Sequence, residues 1–172
     1  MSDVKPHLRV KTIIDIPYEE LKAQGIKVLL FDFDETILAK GEKEVTQERK
    51  ELLKALSEDF KIIIVSNCPL KMRIKKYISN YPIVARAYKP LSKGFDKALK
   101  IAKTDPWEIA MIGDKPLTDI LGGNKKGFYT ILTQALNPEG YSWFYKLYSK
   151  ILLKDKEVWY EDLFRLWCCF TR

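Results

Sequence analysis

Histidine and cysteine are scarce in this chain of 172 residues. The single histidine, His7, lies in an N-terminal arm that we expect to be mobile, so neither a Ser-His-Asp triad nor a histidine-based metal site is expected. The three cysteines, Cys68, Cys168 and Cys169, are odd in number and lack the spacing of metal ligands. We interpret them as free thiols in a reducing cytoplasm.

Long apolar runs and signal-like features are also missing. The N-terminus does not show the basic-then-apolar layout of a signal peptide, and no run approaches the ~18 apolar residues that a membrane-spanning helix needs. We therefore expect a cytoplasmic protein. Its net charge of +7 favours an anionic partner, such as a phosphorylated substrate, an anionic lipid or a nucleic acid.

Apolar runs alternate with amphipathic segments through most of the chain. Buried strands are predicted over 27–33, 62–65, 83–87, 108–112 and 128–132. Helices are predicted over 17–24, after Thr46, after Pro69, over 92–103, and from Pro116 to an end at Gly122-Gly123-Asn124 with Gly127, whereas 10–16 are predicted to be extended. This alternation predicts an α/β fold with a central parallel sheet covered by helices on both faces.

The segment 28–36 lies at the first buried strand, where four apolar residues run directly into two aspartates. Asp32 and Asp34 lean to the same side of an extended chain. Two carboxylates about 4 Å apart repel each other by roughly 4 kcal/mol at an effective dielectric near 20. The pair therefore indicates a bound cation, and the alternative is two solvated loop aspartates.

Three further predicted strands also end in polar residues. Ser66-Asn67 follows the second strand, Lys89 the third and Asp114 the fourth. Taken singly, each has a plainer interpretation as a helix cap, a solvated charge or a turn residue. Because the carboxyl ends of parallel strands meet at one edge of a sheet, the four strand ends together predict one site.

The order of these motifs resembles that of the haloacid dehalogenase (HAD) superfamily. The matching segments are 32–36, the strand ending in Ser66, Lys89, and 113–119 with the sequence Gly-Asp-Lys-Pro-Leu-Thr-Asp. The segment 113–130 is more narrowly similar to the YqeG-type HAD phosphatases, and the resemblance covers about residues 8–135. Glu35 departs from the asparagine usual in that family, which we expect to tune activity rather than abolish it.

The resemblance implies a HAD-like Rossmannoid three-layer sandwich and a phosphatase mechanism. Asp32 would be the nucleophile that forms an aspartyl-phosphate, and Asp34 would act as general acid and then base. Superfamily ATPases generally carry threonine in place of Asp34, which argues for a phosphatase. The Ser66 hydroxyl and the Asn67 backbone amide would hold phosphoryl oxygens, and Lys89 would offset their charge.

The same resemblance implies a Mg²⁺ cofactor. Its ligands would be Asp32, the backbone carbonyl of Asp34, and Asp114, since Mg²⁺ prefers oxygen. Thr36 would brace the loop and Asp119 would orient the acidic cluster, both as supporting residues. We expect the neighbouring lysine at position 115 to touch an anionic substrate.

HAD enzymes select small substrates with a cap domain inserted between motifs. Neither the segment between Thr36 and Thr46 nor the segment between Asn67 and Lys89 is long enough for such a domain. By resemblance, capless members act on larger substrates such as macromolecules or lipid headgroups. We divide the chain into an N-terminal extension, a phosphatase core and a C-terminal tail, which cover 1–25, 26–136 and 137–172.

Aromatic residues are concentrated in the tail, where 141–172 carry apolar stripes opposite lysines. C-terminal amphipathic helices of this kind are typical of a membrane interface, and packing on the core or on a partner explains the pattern equally well. Six other basic residues are interpreted for the most part as solvated helix faces, and the alternative is a basic rim near the site. They are Lys71, Arg73, Lys75, Lys76, Lys125 and Lys126.

The predicted function is Mg²⁺-dependent phosphomonoester hydrolysis, with phosphatidylglycerophosphate as the preferred substrate at the inner face of a membrane. The alternatives are a phosphatase of a soluble phosphate ester and a non-catalytic protein that binds phosphate or RNA. We do not expect a nucleic-acid partner. The sequence leaves the oligomeric state open.

Overall fold

A six-stranded parallel sheet forms the centre of the computed structural model, which describes residues 4–137. The strands are β1 Leu8–Arg9, β2 Val28–Phe31, β3 Lys61–Val65, β4 Ile83–Val84, β5 Ile109–Gly113 and β6 Tyr129–Leu132. Their order across the sheet is β1-β6-β5-β2-β3-β4, with every neighbouring pair parallel. The central position of β2 places its carboxyl end between those of β3 and β5.

Helices cover both faces of this sheet. They are α1 Tyr18–Ala23, α2 Gln47–Asp59, α3 Lys71–Tyr77, α4 Ser92–Ala102 and α5 Leu121–Lys125, with 3-10 turns at Ile13–Asp15 and Pro106–Glu108 and a π-helix at Pro116–Ile120. Along β2, Leu29 and Phe31 join the apolar cluster on one face and Val28 and Leu30 the cluster on the other. The continuous apolar run follows from burial on both faces, and the predicted three-layer α/β fold is confirmed.

The N-terminal residues are packed, which the sequence interpretation missed. Leu8–Arg9 pairs with β6, and His7 stacks on Tyr129 with 4.8 Å between ring centroids. His7 Nδ1 also accepts a hydrogen bond of 3.0 Å from the Thr130 N–H. The histidine therefore lies against the sheet rather than in a free arm.

Residues 10–16, predicted to be extended, contain the 3-10 turn Ile13–Asp15. The Thr12 hydroxyl and the Asp15 carboxylate cap this turn reciprocally, and Ile13 is buried. A capping pair separated by three residues was the available sequence signal. The domain boundaries at 25 and 136 remain predictions, and almost all of the predicted tail lies outside the described residues.

Two predicted boundaries change because of local geometry. Pairing in β4 stops at Val84, since Arg86 and Tyr88 have φ of 49° and 54°, which ends the extended conformation. Gly122 and Gly123 lie inside α5 rather than at its end, whereas Gly127, with φ of 75°, follows the end of the helix as predicted. A Cβ on Gly122 would meet Phe95 Cε2 at 2.3 Å, so glycine permits the close approach of α5 to α4.

The described chain contains no inserted cap. Between Phe31 and Gln47 it forms only a loop, and between Val65 and Ser92 it forms α3 and the short β4. Among residues 4–137, no helix is long and apolar enough to cross a bilayer. The carboxyl edge of the sheet is therefore framed by its own loops.

Candidate active site

Asp32 and Asp34 follow β2 but have different surroundings. The Asp32 N–H donates to Ile112 O on β5 at 2.8 Å, which continues the sheet pairing by one residue and buries the carboxylate. Asp34 retains 37% side-chain exposure, and Arg73 on α3 donates to its Oδ1 at 2.7 Å. The first aspartate is thus held in the protein interior, whereas the second lies at the entrance.

A buried lysine joins Asp32 to a second carboxylate. Lys89 Nζ lies 2.7 Å from Asp32 Oδ1 and 2.6 Å from Asp119 Oδ1. Burial acts to lower the pKa of Lys89, but attraction to Asp119 and Asp32 outweighs it and holds the pKa above its ordinary value. Lys89 is therefore a fixed positive charge beside the end of β2.

The two carboxylates that share Lys89 respond in opposite directions. Burial alone would raise the pKa of Asp32, but the ammonium groups of Lys89 and Lys115 hold it below its ordinary value. Burial raises the pKa of Asp119; Lys89 opposes that rise and the charge of Asp32 adds to it. The two ammonium groups therefore favour the ionised form of Asp32, as a nucleophile requires.

Asp32, Asp114 and Asp119 form a buried acidic cluster, with one carboxylate oxygen from each within 4.8 Å of the others. Asp114 follows β5, and the Thr36 hydroxyl donates to its Oδ1 at 3.3 Å. Asp119 lies in the π-helix, where its Oδ2 accepts the Lys115 N–H at 3.0 Å. The three carboxylates come from two loops at neighbouring strand ends.

Gly113 allows Asp119 to approach this cluster. A Cβ at position 113 would lie 2.4 Å from Asp119 Oδ2 and 2.5 Å from its Cγ. Any larger residue would therefore displace the Asp119 carboxylate, which gives the glycine of the Gly113-Asp114 pair a steric role.

Lys115 places a second ammonium at the open side of the cluster. Its Nζ lies 3.0 Å from Asp114 Oδ1, 3.6 Å from Asp32 Oδ2 and 3.4 Å from the Asp34 carbonyl oxygen. One cation thus contacts all three groups that the family resemblance assigns to Mg²⁺. Sequence reasoning placed Lys115 near a substrate and missed this contact.

The oxygens present here fit a Mg²⁺ ion. Three buried carboxylates face two ammonium groups, which leaves one negative charge. The Asp34 carbonyl oxygen faces the Lys115 ammonium, which also contacts the Asp32 and Asp114 carboxylates. An all-oxygen, anionic donor set of this kind suits Mg²⁺.

Ser66 and Asn67 hold the neighbouring loop together. The Ser66 hydroxyl accepts the Cys68 N–H at 3.0 Å, and the Asn67 side chain bonds both the N–H and the carbonyl of Lys89 at 2.7 and 3.1 Å. The Asn67 side chain thereby fixes the backbone that carries Lys89. Sequence reasoning assigned a role only to the Asn67 backbone amide.

Arg73, which the sequence left either in a basic rim near the site or on a solvated helix face, lies at the entrance. Its guanidinium lies 5.7 Å from the centroid of the Phe33 ring while it pairs with Asp34. The available signal was a basic residue in the first turn of the predicted helix after Pro69. On its own, that signal does not distinguish a site residue from a solvated one.

Comparison with known proteins gives the family. A model described as mitochondrial PGP phosphatase matches residues 1–76, and one described as HAD-hydrolase-like matches residues 87–135. The probable phosphatase YqeG of Bacillus subtilis (strain 168) is 33% identical over 126 residues, which cover 72% of this chain and 73% of YqeG. The chain belongs to the YqeG-like HAD phosphatases.

More distant relatives of this YqeG-like phosphatase carry a named substrate. Phosphatidylglycerophosphate phosphatase 1 of Arabidopsis thaliana is 28% identical over 146 residues, covering 78% of this chain and 42% of that protein. The corresponding protein of Chlamydomonas reinhardtii is 27% identical, with 78% and 54% covered. The chain thus spans about half the length of these two relatives.

A solved structure shows the same fold. The crystal structure of an uncharacterized protein from Listeria monocytogenes serotype 4b matches with a TM-score of 0.54 at 23% identity, covering 66% of this chain and 80% of that one. At this identity the match speaks for the arrangement of strands and helices alone.

Glu35 is where this YqeG-like chain departs from the expected motif. The residue has φ of 68°, a left-handed conformation that asparagine adopts more readily than glutamate. Its two carboxylate oxygens accept the N–H groups of Lys40 and Asn137, each at 2.8 Å. Glu35 therefore ties the loop after β2 to the end of the described chain.

Proposed function

We propose that this chain is a Mg²⁺-dependent phosphomonoester hydrolase that acts through an aspartyl-phosphate. The observation that carries the proposal is Asp32, a buried carboxylate at the end of the central strand with an ammonium group near each oxygen. Ionised, desolvated and held in one orientation, this carboxylate has the properties of a nucleophile.

The first half of the reaction transfers the phosphoryl group to Asp32. A carboxylate oxygen forms a bond to phosphorus as the bond from phosphorus to the ester oxygen breaks. The leaving oxygen takes a proton from Asp34, which lies at the entrance and is partly exposed. Lys89 and the Ser66–Asn67 loop would offset charge on the transferred group.

In the second half, water attacks the phosphorus of the aspartyl-phosphate and Asp34 takes its proton. Inorganic phosphate leaves and the Asp32 carboxylate is regenerated. Mg²⁺, held by Asp32, the Asp34 carbonyl and Asp114, would offset negative charge on the phosphoryl oxygens. Thr36 and Asp119 support these groups through the contacts to Asp114 and Lys89.

The proposed substrate is phosphatidylglycerophosphate, whose phosphomonoester lies in a membrane headgroup. The family model over residues 1–76 and the two phosphatidylglycerophosphate phosphatase relatives support it. The loop-framed entrance of the described core is also compatible with a headgroup that remains attached to a bilayer.

The test is a panel of lipid phosphates and sugar phosphates, with release of inorganic phosphate as the readout and Asp32→Asn as the blank. We expect EDTA-sensitive release that is fastest from phosphatidylglycerophosphate. Faster release from a sugar phosphate would favour a soluble ester as the substrate. Release by Asp32→Asn at the wild-type rate would overturn the mechanism.

A further inference from the structure

Exposed apolar side chains are concentrated beside the candidate site. Among the described residues, six large apolar side chains are exposed, and four of them lie at the start of α3, after Ser66, or beside Lys89 before α4. We define the β3–β4 rim by these four: Leu70, Met72, Tyr88 and Leu91, which are 62%, 74%, 54% and 64% exposed.

The β3–β4 rim is fixed to the site by direct contacts. Asn67, three residues before Leu70, bonds both backbone groups of Lys89. Arg73, one residue after Met72, pairs with Asp34. The β3–β4 rim therefore adjoins the entrance through which a phosphate ester would reach Asp32.

The charge around the rim has one sign. Residues 60–95 contain no aspartate or glutamate and eight lysines or arginines. The lysines at 71, 75, 76 and 93 are exposed, as are Arg73 and Arg86. Of these six, Arg73 pairs with Asp34. Exposed apolar side chains among basic ones match a surface with anionic headgroups above an apolar interior.

From this combination we infer that the β3–β4 rim docks the protein on an anionic membrane, with the entrance turned toward the headgroups. The apolar tips enter the headgroup boundary and the lysines contact lipid phosphates. This inference rests on the proposed function, since it explains how a phosphomonoester held in a bilayer reaches a buried carboxylate. It assigns the docking to the core and does not require the segment 141–172.

The first test measures co-sedimentation of the full chain with vesicles. Phosphatidylcholine vesicles are compared with vesicles that also contain phosphatidylglycerol. The charge variant is Lys71→Gln/Lys75→Gln/Lys76→Gln, and its matched control is Lys27→Gln/Lys54→Gln/Lys100→Gln, three exposed lysines outside the rim. Each charge removed from the rim is expected to weaken partitioning to the anionic vesicles about fivefold, with little change in the control.

The apolar contribution has its own matched pair. Leu70→Gln/Met72→Gln/Leu91→Gln removes rim side chains, and Ile14→Gln/Trp107→Gln removes the two exposed apolar side chains that lie elsewhere in the described residues. Only the rim variant is expected to lose most of its sedimented fraction. Sedimentation of both rim variants at the wild-type level would overturn the inference.

A site-specific probe locates the contact. An environment-sensitive fluorophore is attached at Met72→Cys or at Trp107→Cys, with the native cysteines at 68, 168 and 169 changed to serine. Anionic vesicles should blue-shift the probe at 72, nitroxide-labelled lipids should quench it, and the probe at 107 should be unaffected. Equal responses at both positions would contradict docking through the rim. A blue shift at position 72 that appears without vesicles, when the protein concentration is raised, would contradict it as well.

Hydrolysis of a soluble aryl phosphate separates this inference from the proposed function. The rim variants are expected to retain it at the wild-type rate, because none of the substituted side chains contacts the acidic cluster. Its loss in the rim variants would overturn the inference by making the rim part of the site. Docking without hydrolysis of any lipid phosphate would refute the proposed substrate while leaving the docking surface in place.

Discussion

At the scale of single residues, Lys115 contacts the oxygens that we propose for the metal. Its ammonium lies between 3.0 and 3.6 Å from Asp114, Asp32 and the Asp34 carbonyl. Like charges a few ångströms apart repel strongly at the reduced dielectric of a partly buried site. The lysine must therefore move aside when a divalent cation binds to these oxygens.

Replacing Lys115 should consequently strengthen metal binding. Lys115→Met removes the competing charge and keeps an unbranched side chain, so we expect Mg²⁺ to bind at least about tenfold more tightly in a calorimetric titration without substrate. Lys100→Met, an exposed substitution on α4, serves as the control. Weaker binding by Lys115→Met would show instead that the ammonium supports the metal site.

At the scale of elements, α5 packs against α4 through a glycine. Gly122→Ala would place a methyl group 2.3 Å from Phe95 Cε2, well inside van der Waals contact. We expect the substitution to lower the free energy of unfolding by about 1–3 kcal/mol in urea denaturation.

A double-mutant cycle tests the cause. Phe95→Leu shortens the opposing side chain, so Gly122→Ala should cost less in that background than in the wild type. Additive costs would mean that the loss comes from some other part of the helix, and not from overlap with Phe95.

The N-terminal turn gives a prediction about pH. The Tyr18 hydroxyl on α1 donates to Ile13 O at 2.7 Å, and burial raises the pKa of this phenol well above its ordinary value. A raised native pKa contributes stability that is fully present below the unfolded pKa, near 10, and is lost as the pH rises above it. Wild type should therefore lose up to about 1.4 kcal/mol per pH unit above pH ~10 relative to Tyr18→Phe.

Urea unfolding of both proteins between about pH 8 and pH 11 checks this slope. Tyr18→Phe is expected to be less stable at the lower pH, because the hydrogen bond is gone, and the gap should narrow as the pH rises. Tyr88→Phe removes an exposed hydroxyl and should follow the wild-type profile. A constant gap between wild type and Tyr18→Phe would argue against a buried neutral phenol.

Elements with strong periodic signals were predictable, and those defined by tertiary contacts were not. The apolar runs of β2, β3 and β5 follow from burial on both faces of a parallel sheet, and the polar residues after them mark where each strand ends. In contrast, β1 has two residues and is defined by its pairing with β6. The glycines of α5 were predicted to end a helix. Their role is instead to make room for Phe95 and for the side chain at position 130, and these tertiary contacts are not visible in the sequence.

The same division applies to the site. Residues at strand ends could be placed by topology, because parallel strands bring their carboxyl ends together. The contacts of Lys115, Arg73 and the Asn67 side chain depend on rotamers and on the path of two loops. Glu35 was noticed as a departure from the family motif, but its bond to the Asn137 N–H joins positions 102 residues apart.

At the scale of the whole molecule, a HAD-type phosphatase core is built around an acidic cluster that remains partly uncompensated. Three carboxylates face two ammonium groups, so the folded protein holds carboxylates close together that repel one another. Unfolding would separate them and relieve this repulsion. A ligand that binds only the native state stabilises it by mass action, by about 2.7 kcal/mol at 100 times its dissociation constant. Mg²⁺ should thus raise the free energy of unfolding of the entire core.

This stabilisation should depend on Asp114 with a change of sign. Asp114→Asn removes one of the clustered charges, so without Mg²⁺ the variant is expected to be at least as stable as wild type in urea unfolding. With saturating Mg²⁺ the order should reverse, because the variant lacks a proposed ligand. Asp59→Asn, a surface substitution on α2, should gain from Mg²⁺ as wild type does. If Mg²⁺ stabilised Asp114→Asn as much as wild type, the metal would have to bind elsewhere and the proposed ligand set would be wrong.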